Sequence, residues 1–160
     1  MRWIVIFVTS MLVFLLSSCQ YGPVSSSSGM GFAGGSLLVE IGSSTNCANP
    51  DDTVTLHASV SNRSSQIFAV ELQDRPVLDL CIGSYPGYSK CWSEGKQLTP
   101  DLTKLELKPG ESKTIEMKWF AQPAGSYGAA AIFVYAPNVT GGPITANVTV
   151  GVVPDCPGSR

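Results

Sequence analysis

The sequence predicts an all-β protein, an antiparallel sandwich of roughly seven to nine short strands that follows an export signal and a flexible linker. Three observations carry this reading. Val, Ile and Thr recur in short runs where apolar and polar residues alternate, the period of a strand with one buried face. Glycine (16) and proline (11) punctuate those runs, while only 14% of the 160 residues are charged. No stretch holds a convincing helical repeat, which leaves short strands joined by turns.

The first 18 residues stand apart. Arg2 is the only charge ahead of an uncharged run, 3–16, which ends in Ser17, Ser18 and Cys19. A short positive start, an apolar centre and small residues at a cut site make a secretory signal. The run is too short to span a bilayer, which asks for roughly 20 residues. Leu16-Ser17-Ser18-Cys19 resembles the lipobox of bacterial lipoproteins, whose cysteine receives a diacylglycerol and becomes the mature N-terminus. On that reading Cys19 anchors an exported chain to the membrane, facing the periplasm or the cell exterior. A plain cleaved signal is the alternative. An acyl pair holds stably where a single chain binds only marginally. Gln20, in place of Asp, resembles the pattern of lipoproteins sent to the outer membrane of a two-membrane bacterium.

Losing 1–18 removes only Arg2 and leaves 9 Lys+Arg against 12 Asp+Glu, a net charge of −3. That balance, with no basic run, argues against nucleic acid as a partner and against a polybasic second anchor. Residues 19–36, the anchor cysteine and a Gly/Ser-rich stretch, have no periodicity and read as a tether. A coil of that length spans on the order of 20 Å. Its literal GxGxxG (Gly29, Gly31, Gly34) lacks the preceding strand and following helix that a dinucleotide site needs.

The folded domain is expected over 37–156, with 157–160 as a tail. Residues 37–41 make a short apolar strand. In 53–61, Val54, Leu56, Ala58 and Val60 fall on one face and Thr55, His57 and Ser59 on the other. A turn at Asn62-Arg63-Ser64-Ser65 follows, then strands at 67–72, 77–82 and 88–92. Residues 105–119 read as the clearest hairpin. Leu105, Leu107, Ile115, Met117 and Trp119 face inward, and Lys104, Glu106, Lys108, Thr114, Glu116 and Lys118 face water. Pro109-Gly110 supplies the fixed φ and the positive φ of a type II turn. The stretch 127–135 is apolar without alternation, as suits a central strand covered on both faces. The last strand, 144–152, places Ile144, Ala146, Val148 and Val150 on one face.

With Cys19 lipidated, Cys47, Cys81, Cys91 and Cys156 remain, an even number in an oxidising compartment. Cys81 and Cys91 sit on consecutive strands around a loop, so a hairpin sets them opposite one another. Cys47 precedes the first long strand and Cys156 follows the last, and domain termini tend to lie close together. We therefore expect Cys81–Cys91 and Cys47–Cys156. Closing about 10 residues stabilises by roughly 2–3 kcal/mol, and closing about 110 by roughly 4–5. A zinc site is disfavoured, because there is no CxxC pair and only one histidine.

Several elements then fall in a telling order: Ser61-Asn62-Arg63-Ser64-Ser65, Val77-Leu78-Asp79-Leu80, Trp92-Ser93-Glu94-Gly95-Lys96, Leu107-Lys108-Pro109-Gly110-Glu111, Trp119 and Gly125-Ser126-Tyr127. Over roughly Thr53 to Tyr135 this resembles the BsuPI family of bacterial proteinase inhibitors. The resemblance implies an immunoglobulin-like sandwich and a protease as partner. The chain differs from the family's intracellular inhibitor in being exported and in carrying two cysteines around the Tyr85 loop. No reactive-site motif of the family maps onto these residues.

Nothing in the sequence supplies a catalytic constellation, a metal or a cofactor. His57, the only histidine, falls on the polar face of its strand, and no Gly-x-Ser-x-Gly elbow is present. Asp51-Asp52 lack the further acidic ligands of a calcium loop, and no spacing places Glu71, Asp74 and Asp79 in one cleft. Asn62, Asn138 and Asn147 begin Asn-x-Ser/Thr triplets; beside a bacterial lipobox they read as ordinary turn and strand residues. The best binding candidate is the loop 82–90. Cysteines flank it, and Tyr85, Pro86, Gly87 and Tyr88 form its tip, two tyrosines giving contact area at low entropic cost. The expected function is a membrane-anchored protein-binding module, a proteinase inhibitor as the family implies. The alternative is an accessory subunit of an envelope complex.

Overall fold

A computed structural model of the chain describes residues 28–33, 36–84, 86–135 and 142–156. The signal at 1–18, the lipidation site Cys19, Tyr85, Asn138 and the tail 157–160 lie outside the described residues. The strands in chain order are β1 (Ser28–Ala33), β2 (Leu37–Ser43), β3 (Cys47–Ala48), β4 (Thr53–Asn62), β5 (Phe68–Glu71), β6 (Leu78–Gly83) and β7 (Lys90–Cys91). One helical turn, α1 (Pro100–Thr103), precedes β8 (Lys104–Leu107), β9 (Ser112–Phe120), β10 (Gly125–Phe133) and β11 (Ile144–Val152).

These strands form an immunoglobulin-like sandwich. One sheet runs β1-β2-β4-β9, the other β3-β11-β10-β6-β7, and β5-β8 makes a separate two-stranded ribbon. Among the described residues every pairing is antiparallel except β3 on β11. The core follows from the alternation. Val54, Leu56, Ala58 and Val60 of β4 and Ile115, Met117 and Trp119 of β9 are buried against Leu80 and Ile82 of β6, Phe133 of β10 and Val148 and Val150 of β11. Each Val, Leu, Ile, Met or Phe side chain among them withdrawn from water contributes roughly 1.5–3 kcal/mol, offset by the entropy of ordering it. In β10 the inner Ala129 and Ala131 and the outer Ala130 are all buried, and Ala130 lies directly across from Cys81. Between the sheets, the Tyr127 ring lies 5.0 Å from the Trp119 ring, and its hydroxyl donates to the Pro123 carbonyl at 2.7 Å. That bond braces the link that carries the chain from β9 across to β10.

Two expectations are corrected. The stretch 105–119 is no hairpin: β8 pairs with β5 and β9 pairs with β4. The turn itself is as expected, since Glu111 N–H donates to the Lys108 carbonyl at 3.0 Å and Gly110 has φ +80°. Its arms are parted by Asn62, the last residue of β4, which is fully buried. Asn62 N–H donates to the Glu111 carbonyl (2.9 Å), and Gly110 N–H donates to the Asn62 carbonyl (2.8 Å). The Asn62 Nδ2 group donates to the carbonyls of Leu107 (2.9 Å) and Gln66 (2.7 Å), while Oδ1 accepts from Ser64 N–H (3.0 Å) and its hydroxyl (2.7 Å). One amide thus closes the mouth where the two arms would have zipped together. Alternation fixes which face a strand buries, and leaves its partner open.

The second correction concerns the tether. Residues 28–33 pair with β2 from Ser28↔Gly42 to Ala33↔Leu37. An unpaired edge offers ladder bonds to any backbone that reaches it. Gly29 serves close approach rather than slack: a Cβ there would sit 2.0 Å from the Asn147 carbonyl oxygen of β11. The sequence also passed over α1, a single turn with Pro100 at its start and Leu102 N–H donating to the Thr99 carbonyl at 2.9 Å.

Cys47 and Cys156 are joined with their Cα atoms 6.0 Å apart, 109 residues apart in sequence. The bond ties β3 beside β11, where Cys47 lies in register with Gly151. Replacing Asn62 with alanine takes the amide donor from the buried Leu107 carbonyl and the acceptor from Ser64, so we expect a loss of about 2–4 kcal/mol. Urea unfolding monitored by tryptophan fluorescence measures it. An unchanged midpoint would mean that the amide is dispensable.

Candidate functional site

The site grows from the end of β6. Cys81 and Cys91 face each other across β6 and β7, with Cα atoms 4.0 Å apart and a bond between their sulfurs. Between them the chain folds back tightly over Gly83. A Cβ there would meet the Gly87 oxygen at 2.4 Å, the Ser89 nitrogen at 2.5 Å and the Tyr88 Cα at 2.6 Å, so only glycine permits this path. Gly87 N–H donates to the Ser84 carbonyl (3.0 Å) and Ser89 N–H to the Ile82 carbonyl (2.9 Å). Pro86, Gly87 and Tyr88 are exposed, Tyr88 by 53%. The loop is thus short, closed at its base and hydrogen-bonded within, with an aromatic ring turned to solvent.

Sequence reasoning missed what lies beside it. Asp79 stands on β6 between Leu78 and Leu80, a carboxylate in an apolar strand that must find donors. Its Oδ1 accepts from the N–H groups of Leu80 (2.9 Å) and Ser93 (3.1 Å), and its Oδ2 accepts from the Ser93 hydroxyl at 2.5 Å. Ser93 is fixed by this, and the turns at 91–96 stack on it: Glu94 N–H donates to the Cys91 carbonyl and Lys96 N–H to the Ser93 carbonyl. Gly95 provides the positive φ, +74°. The turns bring the Lys96 ammonium 3.2 Å from the centre of the half-buried Trp92 ring, a cation–π contact.

Trp92 then forms one wall of an open cleft of about 580 Å³. Ser89, Lys90, Glu94 and Lys96 line one side, and Glu116, Met117 and Lys118 of β9 line the other. A larger open groove, about 900 Å³, follows the start of the same strand, with Ser112 and Lys113 against β5, α1 and β8. Lys104 pairs with Glu71 at 2.8 Å on that side. The tyrosine loop and the cleft are therefore neighbours through Ser89.

The other residues singled out by sequence are engaged elsewhere. Asp52 Oδ2 accepts from Asn49 N–H at 2.8 Å, and Asp51 takes the left-handed region with φ +68°, which makes a turn joined to Ala121. Glu71 is held by Lys104 and Asp74 by Arg75. The hydrogen bond from Arg75 keeps the Asp74 carboxyl below the usual carboxylate range. Glu71, Asp74 and Asp79 each have their own partner and form no cluster. His57 lies on the outer face of β4, on the opposite sheet from the loop, across from Gly42 and Glu116. Asp79, Cys81 and Cys91 bring ligand-type atoms within 4.8 Å of one another, yet both sulfurs are spent in the disulfide and the carboxylate on Ser93. Among the described residues this arrangement presents no nucleophile with a base.

Comparison with known proteins adds a family. The family model BsuPI, described as intracellular proteinase inhibitor, matches residues 42–138. No curated protein matches the chain. Among solved structures, a Paenibacillus cycloisomaltooligosaccharide glucanotransferase complexed with cycloisomaltoheptaose aligns over 72% of this chain and 14% of its own, at 14% identity and TM-score 0.48. A CARDB domain from Pyrococcus furiosus aligns in its solution structure over 74% of this chain and 94% of its own, at 19% identity and TM-score 0.47. The crystal structure of that domain, in complex with di-metal ions, aligns over 78% and 90%, at 18% identity and TM-score 0.46.

Replacing both Cys81 and Cys91 with alanine should lower stability by roughly 2–3 kcal/mol and speed hydrogen exchange at Gly87 and Ser89. Guanidinium unfolding and exchange measured by NMR test this pair of effects. Exchange that stays slow would show that the loop's own bonds suffice.

Proposed function

Because the chain belongs to the BsuPI family, described as intracellular proteinase inhibitor, we propose that it is a protein-binding module that blocks a proteinase, held outside the cytoplasm by lipid on Cys19. The observation that carries this reading is the loop over Gly83, stiffened by the Cys81–Cys91 bond and presenting Tyr88 to solvent. A contact surface ordered in advance loses little entropy on binding, and an exposed tyrosine is a common anchor residue. The cleft beside Trp92 extends that surface. Two disulfides and the uncharged run ahead of Leu16-Ser17-Ser18-Cys19 support export, a departure from the intracellular setting of the family's description. A second reading, an accessory subunit docked on a larger envelope assembly, is favoured by β9, whose outer edge carries no strand among the described residues.

The full chain in detergent, titrated against a panel of serine proteinases, should inhibit at least one at stoichiometric ratio. Tyr88→Ala should weaken that inhibition at least about tenfold, or 1.4 kcal/mol. No inhibition, together with co-purification of one fixed membrane partner, would overturn the first reading in favour of the second. Metabolic labelling with palmitate should mark the wild-type chain and leave Cys19→Ala unmarked; an unmarked wild type would end the anchoring proposal.

A further inference from the structure

The free edge of β9 has a definable hydrogen-bonding pattern. Ala121 N–H donates to the Asp52 carbonyl (2.8 Å) and Asn62 N–H to the Glu111 carbonyl (2.9 Å), at the two ends of an unbroken register from Thr53↔Phe120 to Ser61↔Ser112. In an antiparallel pair, successive residues alternate between bonding to the partner and pointing away. Odd-numbered residues of β9 therefore bond to β4, and the even-numbered ones, Ser112 to Phe120, turn their N–H and C=O groups outward. No strand pairs with them among the described residues.

Both grooves described above run along this edge, one at Ser112 and Lys113, the other at Glu116 to Lys118. Their charges differ. At the start of β9, Asp101, Glu106 and Glu111 outnumber Lys113, the neighbouring Lys104 being paired with Glu71. Towards its end, Lys90, Lys96 and Lys118 outnumber Glu94 and Glu116. The edge is thus a ladder of amides with no strand partner among the described residues, the Phe120 carbonyl alone accepting from the Gln122 side chain at 3.3 Å, and it has an acidic end and a basic end.

We propose that β9 receives an extended segment of a partner protein as an added antiparallel strand, with acidic residues in the segment's first half and basic residues in its second. Antiparallel addition continues the pairing of the whole sheet and is somewhat more stable per residue than parallel addition. It sets the segment's first half beside Lys90 and Lys118 and its second half beside Glu106 and Glu111. Ladder bonds supply affinity and the charge order supplies direction. The inference rests on the reading of the chain as a protein-binding module and names the contact that such binding would use.

The test uses the full chain in detergent and two synthetic peptides of identical composition. One is Glu-Thr-Asp-Val-Thr-Val-Lys-Thr-Arg; the other has its acidic and basic residues exchanged. The first should bind at least about tenfold more tightly, and the amides of Thr114, Glu116 and Lys118 should become protected from hydrogen exchange on binding. Thr114→Pro removes an outward N–H without touching a bond to β4, a position where edge strands tolerate proline. It should abolish binding and leave the thermal midpoint near that of wild type. Equal affinity for the two peptides, or protection confined to residues outside β9, overturns the proposal. Should Thr114→Pro fail to fold, the exchange pattern of the wild type decides. Peptide bound at β9 without inhibition of any proteinase would sink the inhibitor reading alone. Inhibition that depends on Tyr88, with no peptide bound, would sink this one alone.

Discussion

The Asn62 side chain lies at the end of β4, fully buried, with both of its N–H donors and its oxygen engaged. A buried amide is stable only when its polar atoms are satisfied, and here the partners belong to two separate segments. The carbonyl of Leu107 ends β8, that of Gln66 precedes β5, and the Ser64 groups form the turn between β4 and β5. Its backbone meanwhile bonds to both Gly110 and Glu111. The bonds hold β8 and β9 apart, so β8 joins β5 and β9 joins β4. That parting leaves the outer edge of β9 open and sets the groove against the β5-β8 ribbon.

The elements that carry the family resemblance turn out to be joints of the fold. Asn62 locks a corner, Asp79 and Ser93 lock the turns after β7, Lys96 covers Trp92, Gly110 takes a positive φ, and Tyr127 braces the crossing to β10. Each meets a backbone or polar requirement that few other residues meet. A family recognised through such residues is recognised by how its sandwich is held together. The exposed residues between the joints, Tyr88 in the loop and the charges along β9, are free to suit a particular partner, since loops and edges bear little of the packing.

Much of the fold was legible in the residues. The inward set Leu105, Leu107, Ile115, Met117 and Trp119 is buried, because a period of two is a local property of the chain. The loop between Cys81 and Cys91 was visible as two cysteines at hairpin spacing. The cleft was less visible: Trp92 and Met117 are far apart in sequence, and neither shows that the two sheets bring them to one cleft. The isolated Asp79 within an apolar strand was a signal that could have been used, since a carboxylate there demands a donor such as Ser93.

Composition and alternation, then, settled by themselves that this is a β-sandwich, which face of the alternating strands β4, β8, β9 and β11 is buried, and where the Pro109-Gly110 turn falls. These follow from steric and solvation preferences expressed within a few residues. Only the tertiary structure decided that 28–33 would join a sheet, that β8 and β9 would part, and that one edge would stay open beside a charged groove. Backbone hydrogen bonds carry no record of side-chain identity, so the choice of strand partner falls to distant groups such as the Asn62 amide and to what can approach as closely as Gly29 does.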